Sequence, residues 1–465
     1  MNSTVRRHRR ARSTDARPAI LWFTLTTLLL SALCVGALLV RAVSGEWLEL
    51  KMESARVRVL EMLPKPPAPD HVPTPIAAVV NATRPTIAWR ANIATRTPTA
   101  TGAPTATPEP IETARAENTP TESAPARLAT NTIAARPSRS PSITPALENH
   151  AALQPIQEHV QLGGVTHEAQ RFNNCGPTTL RMYFSFFGYR QDSQVQIANV
   201  LKPNKDDRNV SPAELVTYAR QKGFRAQMRV NGDVEKIKTF LSNGLPVMIE
   251  EGYDPARAHQ GWMGHYLLLT GYDENGITAQ DSYNGPNQVV TWQTLDEHWR
   301  HFNRTYVVVY TDAHADIVDA VIGEDLDDAT MYAKAAQRAQ DEWNVNPDDA
   351  FAAFNLGSSL VGLGEYDAAA QAFDTARVLK LPWRMLWYQF GPYDAYLEVG
   401  RYDEVIALAD ATLKPTGDLE EAYYYKGRAL EKLGQLPEAR AAFELALKYN
   451  AHYDAARQAL DALQT

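Results

Sequence analysis

The stretch NNCGPTTLRMYFSFFG, Asn173 to Gly188, decides the fold. A long apolar run closed by a glycine predicts a buried helix. Pro177 is tolerated in its first turn, because the first N–H groups of a helix have no intrahelical partner. Cys175 then stands at the positive end of the helix dipole, which favours the thiolate, the reactive form of cysteine. Downstream, GHYLLLTGYD carries His265 and AQDSYNGP carries Asp281. Cysteine, histidine and carboxylate, in that order, are the parts of an activated thiol nucleophile. The bland reading of Cys175 is a small buried hydrophobe. Its position at a helix start, with the histidine and aspartate segments following, favours catalysis.

Working outward, residues 157–318 read as a mixed domain. Ser211-Pro212-Ala213-Glu214 is a capping box opening a helix to Gln221, stopped by Gly223. FRAQMRV follows as a strand, and Asp233 caps another helix that ends near Gly244. LPVMIEE, HYLLLTGYD, ITAQDS, QVVTW and TYVVVYT read as strands, with TLDEHWRHF a short helix before the last. Helices first and an antiparallel sheet after is an α+β arrangement. If Glu274, Asn275 and Gly276 form a three-residue loop with Gly276 left-handed, residue 281 pairs with 269. His265 and Asp281 then share a sheet face but stand four positions apart, a gap that twist or a bulge must close.

This domain resembles the papain-like cysteine peptidases of family thirty-nine, which remove double-glycine leaders from bacterial peptides, and more closely their stand-alone secreted relatives. The resemblance covers about 150 residues and rests on the NNCGPTTL, GHYLLLTGYD and DSYNGP segments. It implies that Cys175 is the nucleophile, His265 the general base and later acid, and Asp281 the group that orients the imidazole. It implies that Gln170 supplies an oxyanion donor together with the N–H of Cys175. Double-glycine specificity does not carry over, because the leader-cleaving relatives are cytoplasmic and fused to transporters.

Residues 319–465 switch to helical periodicity. GLGEYDAAAQAF, EVGRYDEVIALA and KLGQLPEARAAF align on Gly364, Gly400 and Gly434, spaced 36 and 34 residues apart. The second spacing is the tetratricopeptide period. The outer copies also share Gly357, Ala369 and Phe373 with Gly427, Ala439 and Phe443, whereas the middle copy has Pro392 and Tyr393 where Leu-Gly would stand. A half repeat ends at Pro347 and a capping helix covers residues 452–463. This resembles a tetratricopeptide array, an all-α solenoid that implies a protein or peptide partner and folds on its own stacking.

The N-terminal third has a different character. Arg6, Arg7, Arg9, Arg10, Arg12 and Arg17 precede an uncharged run from Ala19 to Val40. Its 22 residues suit one membrane-crossing helix, and the basic flank places residues 1–18 in the cytoplasm and everything after residue 40 outside. Cys34 falls inside that run, which leaves Cys175 without a disulfide partner. Residues 41–156 hold a juxtamembrane segment and a stalk. Of the chain's 29 prolines, 16 lie in residues 64–150 among Thr, Ala and Ser, a composition that cannot bury a core and is expected to stay disordered.

A net charge of −8 gives no reason to expect a nucleic-acid partner. His298 and His301 share a helix face, but no HExxH or CxxC accompanies them, so no metal and no cofactor are expected. His259 is a weaker rival to His265 as the base. The acidic run Glu324 to Asp328 reads as a solvated helix start. The expected whole is a single-pass protein of a bacterial envelope, bearing a cysteine peptidase and a repeat array outside the membrane. Two other readings stay open: a non-catalytic binding scaffold, and an acyltransferase or amidase acting on cell-wall peptides.

Overall fold

The computed structural model of the chain describes Ala55, Pro69 and residues 71–76, 153–254 and 261–463. The basic tail, the apolar run 19–40, most of the stalk and His259 lie outside these residues. Among the described residues no helix is long and apolar enough to cross a membrane.

The first unit is an antiparallel sheet covered on both faces. Its strands are β1 (Val160–Gln161), β2 (Arg225–Arg229), β3 (Val247–Tyr253), β4 (Met263–Tyr272), β5 (Gly276–Asp281), β6 (Gly285–Thr291) and β7 (Tyr306–Tyr310). They lie in the order β2-β7-β3-β4-β5-β6, with β1 extending the β3 side of β4. Helices α1 (Cys175–Phe186), α2 (Gln194–Leu201) and α3 (Pro212–Gln221) pack on Tyr266, Leu268, Val307 and Val309. Helices α4 (Val234–Ser242), α5 (Trp292–Trp299) and α6 (Ala315–Ile322) pack on Leu267, Leu269, Tyr306 and Val308. Covering both faces is why the central strands read as apolar runs at Tyr266–Leu269 of β4 and Tyr306–Tyr310 of β7. Leu267, Leu268 and Leu269 are each at most 1% exposed, and each such burial contributes about 1.5–3 kcal/mol.

The helix starts carry the expected caps. Ser211 and Glu214 form the capping box of α3, and Asp233 caps α4 through Lys236 N. Helix α2 has the same signature, Ser193 with Gln196, which the reading of the sequence passed over. Val318 and Ile322 of α6 belong to the sheet's core, so the boundary expected at 318/319 falls inside a helix of the first unit. Asp325, expected to be solvated, is buried between Lys236 and Lys334. Only Asp327 of that run acts as a helix cap, accepting from Thr330 N.

The helices that follow are α7 (Asp328–Val345), α8 (Ala350–Gly362), α9 (Tyr366–Val378), α10 (Gly391–Glu398), α11 (Tyr402–Thr416), α12 (Glu420–Lys432), α13 (Leu436–Tyr449) and α14 (Asp454–Ala462). Gly364, Gly400 and Gly434 turn α8 into α9, α10 into α11 and α12 into α13, at φ between +73° and +76°. A Cβ at Gly357 would lie 2.8 Å from the Phe373 ring, and one at Gly427 2.5 Å from the Phe443 ring. Small-on-large contact therefore sets how closely each outer helix pair approaches. The middle pair reverses the sizes. Tyr393 is fully buried on α10, and Ala409 on α11 stands where the outer copies have phenylalanine.

The middle repeat also begins irregularly. After α9, Lys380 is left-handed (φ +69°), and Trp383–Trp387 forms a 3-10 turn before α10. This connection meets the sheet unit. Trp262 stacks on Phe302 at 5.8 Å and meets the Tyr388 ring edge-on at 5.9 Å. Asn303 Nδ2 donates to Ser359 Oγ at 3.0 Å, and Gln389 Nε2 donates to the His301 carbonyl at 3.0 Å. Further along, Arg208 pairs with Asp418 at 2.6 Å. The array thus buries part of its surface on the sheet unit, beyond the self-stacking that the repeats alone imply.

Part of the stretch expected to be stalk is ordered on the array. Residues 71–76 lie along it, with Val72 buried and bonded to Leu381. Residues 154 and 157 are tied to the end of α4 through Asn243 and Ser242.

Candidate active site

Cys175 opens α1, and the loop before it is held by one buried side chain. Gln194 of α2 accepts from Arg171 N (2.8 Å), Asn174 Nδ2 (2.8 Å) and Thr178 Oγ1 (2.9 Å). Its own amide donates to Glu168 Oε1 (2.6 Å) and the Ala169 carbonyl (2.9 Å). The N-cap residue Asn174 spends its side chain on Gln194 and makes no capping bond. The amides of Cys175 and Gly176 have no acceptor within the helix. Gly176 permits α1 to approach β4: a Cβ there would meet Tyr266 at 3.3 Å.

His265 and Asp281 meet because β4 carries a bulge. Leu269 pairs with Ala279, but Gly271 pairs with Thr278, so Thr270 is the extra residue. The turn before β5, one residue shorter than expected, moves the register by one position and the bulge by one more, so Asp281 faces Leu267, not residue 269, and His265 is its diagonal neighbour two positions away. Diagonal pairs on one face lie within reach of a long side chain. His265 Nε2 is 2.9 Å from Asp281 Oδ1. The loop glycine differs from expectation as well. Gly276 begins β5, where a Cβ would collide with the Val290 carbonyl, and Asp273 closes the turn by accepting from Asn275 N at 2.8 Å.

Asp281 is held from all sides. It accepts from Tyr283 N (2.7 Å), Asn284 N (2.9 Å) and Asn284 Nδ2 (2.7 Å). His167 Nε2 contacts its backbone carbonyl at 2.9 Å. Burial alone would raise the Asp281 pKa, but His265 and Asn284 outweigh it and bring the value down to about 2. Burial likewise opposes charge on His265, and hydrogen bonds to Asp281 and Cys175 reverse this, raising it to about 10. The imidazole is thus bonded to the carboxylate, and the nearby thiol of Cys175 adds to the pull towards its charged form. The His265 contribution is complete below about 6.5 and lost as pH rises through about 10. That of Asp281 is complete above 3.8 and lost as pH falls through about 2.

Gln170 lies on the other side of the loop. Its N–H donates to the Ser282 carbonyl at 2.8 Å, and its Oε1 accepts from Ser282 Oγ at 2.8 Å. With Oε1 held in this way, the amide NH2 is the end left to donate. Glu250 of β3 is buried, and its pKa is raised well above the usual range by burial first and then by the negative charge of Cys175. The array contributes too. Tyr388 packs against Gly264, beside His265, where a Cβ would meet its ring at 3.0 Å. Ser282, Asn284, Gln194 and Tyr388 escaped the reading of the sequence. The Ser193–Gln196 cap marked the helix of Gln194; nothing marked Tyr388.

His298 and His301 are packing residues. His298 Nδ1 lies 3.5 Å from Glu251, and the His301 ring stacks on Phe351 of α8 at 3.7 Å. Burial lowers the His301 pKa to about 4. No group of three or more metal-ligating side chains occurs among the described residues.

Residues 160–307 match the model of the Peptidase_C39 like family, and residues 420–453 match the tetratricopeptide repeat. The chain thus joins a C39-like peptidase domain to tetratricopeptide repeats. Solved structures resemble the two parts separately. One, described as a C39-like peptidase from Bacillus anthracis, shares 15% identity over 33% of this chain and 98% of its own, with a TM-score of 0.28. A double glycine motif protease from an AMS/PCAT transporter, in complex with the leader peptide, shares 14% identity over 33% of this chain and 94% of its own (TM-score 0.26). MamA from Desulfovibrio magneticus RS-1 shares 19% identity over 29% of this chain and 75% of its own (TM-score 0.27). No curated protein matches the chain.

Proposed function

We propose that the chain is a cysteine peptidase in which Cys175, His265 and Asp281 act as a triad and Gln170 as an oxyanion donor. The observation that carries this reading is the 2.9 Å hydrogen bond between His265 Nε2 and Asp281 Oδ1, with Cys175 near enough to favour the charged imidazole. Cys175 Sγ attacks a peptide carbonyl, and the negative oxygen is met by the Gln170 amide and the N–H of Cys175. His265 gives its proton to the leaving amine as the C–N bond breaks, leaving a thioester. Water then attacks the thioester. His265 takes the water's proton, and the acid leaves as the thiolate reforms. Asp281 keeps the imidazole oriented throughout.

The substrate is a peptide or protein, and the repeat array serves protein or peptide binding. Residues 19–40 anchor the chain as one membrane helix with residues 1–18 in the cytoplasm, on the strength of their length, apolarity and basic flank. The peptidase and the array then lie outside. Labelling the native chain with a thiol-reactive peptidyl electrophile tests the catalytic reading. Modification of Cys175 near neutral pH, slowed in His265→Ala, supports it; modification only after denaturation overturns it. Digestion of intact spheroplasts tests the topology, and protection of residues 153–465 overturns that part alone.

A further inference from the structure

Residues 71–76 make a full set of contacts with a part of the chain some 300 residues away. His71 bridges to Pro382 in antiparallel fashion, and Val72 N donates to the Leu381 carbonyl at 3.0 Å. Arg377 Nε donates to the Pro73 carbonyl at 2.7 Å, and Ile76 N donates to Glu404 Oε2 at 3.0 Å. Val72 is 1% exposed and joins the array's core, and Pro75 is buried while Thr74 and Ile76 face solvent. Beneath the strip, Arg377 and Glu404 pair at 2.7 Å, both almost wholly buried. A buried pair of this kind needs its remaining hydrogen-bonding capacity satisfied. Arg377 meets this with the Pro73 carbonyl and Tyr396 Oη, Glu404 with the Ile76 amide.

We propose that the groove between α9 and α11, roofed by the 380–387 connection, is a binding site for an extended apolar-Pro-x-Pro peptide, and that the chain's own Val72–Ile76 occupies it as a clasp. Prolines at 73 and 75 fix φ in the extended region, so little order is lost on docking. The neighbouring sequence supplies a comparison. Thr107-Pro108-Glu109-Pro110-Ile111 repeats the Pro-x-Pro-Ile pattern, with Thr107 in the place of Val72. A threonine hydroxyl in the dry Val72 pocket costs free energy without a partner, so the first register is preferred. Covalent linkage to the rest of the chain holds the strip at high effective concentration. On the membrane reading proposed above, the array is then tethered by residues 41–70 rather than by the whole stalk. The clasp itself stands apart from the catalytic reading.

The test uses the full chain with a site-specific protease sequence inserted between Thr105 and Ala106. After cutting under native conditions, the N-terminal fragment should co-elute with the C-terminal one. In Val72→Asp, and independently in Pro75→Asp, the two fragments should separate, while the far-UV circular dichroism of the uncut chain stays that of the unsubstituted protein at the temperature of the assay. An excess of synthetic peptide spanning residues 69–78 should release the fragment from the unsubstituted chain. A peptide spanning residues 104–113 should need a higher concentration. Separation of the unsubstituted fragments on cutting overturns the proposal. So does retention of the fragment in both variants. Catalytic labelling of Cys175 plays no part in either readout.

Discussion

The outer repeats and the middle repeat solve one packing problem in opposite ways. Gly357 faces Phe373 and Gly427 faces Phe443, whereas the middle pair places Tyr393 against α11, where Ala409 stands at the phenylalanine position. Exchanging large and small across a helix pair keeps the interior filled. Tyr393 Oη finds Thr412 Oγ1 at 3.0 Å, so its hydroxyl is not stranded. The larger difference lies before α10, where two extra residues and the Trp383–Trp387 turn depart from the repeat. That departure carries Tyr388 to Gly264 beside His265, and it presents Leu381 and Pro382 to the 71–76 strip. The first regular copy also touches the sheet unit through Ser359 and Phe351. The irregular copy brings Tyr388 to the catalytic strand and Leu381, Pro382 and Glu404 to the clasp, which Arg377 of the first copy also holds.

The greatest expected effect sets the benchmark for the sheet unit. Cys175→Ala should abolish both turnover and electrophile labelling while the thermal transition stays in place; residual turnover would move the chemistry elsewhere. Next, Gln170→Ala should cost about 10²–10³ in kcat, the usual loss for one oxyanion donor. Full activity in that variant would show that the Ser282-held amide has no part in the hole.

The size exchange within the array can be broken and restored. Gly427→Tyr should destabilise the array by about 1–3 kcal/mol through overpacking against Phe443. Combining it with Phe443→Ala, the middle repeat's own arrangement, should recover part of that loss. Denaturant unfolding followed by circular dichroism reads both, and a double variant worse than either single one would refute the comparison.

The charge state of His265 gives a finer test. A titration of 13C-labelled histidine should place its pKa near 10 in the unsubstituted chain. Asp281→Asn removes the negative partner, so the value should fall by more than one unit, which corresponds to about 1.4 kcal/mol per unit. An unmoved titration would mean that the carboxylate does not stabilise the imidazolium. The smallest effect is expected at the array's edge of the site. Tyr388→Ala should change KM by less than about tenfold, roughly 1.4 kcal/mol, and leave kcat nearly unchanged. A collapse of kcat instead would make the array part of the chemistry.

Local chemistry determined what the sequence alone conveyed. The Cys175 helix, the caps at Ser211 and Asp233, the strand runs and the Gly364, Gly400 and Gly434 turns each depend on residues within one element. The same holds for the order of Cys175, His265 and Asp281 along the chain. Tertiary structure decided the rest. The bulge at Thr270, which brings Asp281 to His265, leaves no composition signal, because β4 reads as unbroken apolar sequence on either register. Gln194 fastens the Cys175 loop from another helix, and Ser282 holds Gln170 across 112 positions. The 71–76 strip reads as disordered because its composition cannot bury a core of its own; its partners, Arg377, Leu381 and Glu404, lie about 300 residues away. Such contacts repay the entropy of closing long loops only once both surfaces exist, and no local pattern announces them.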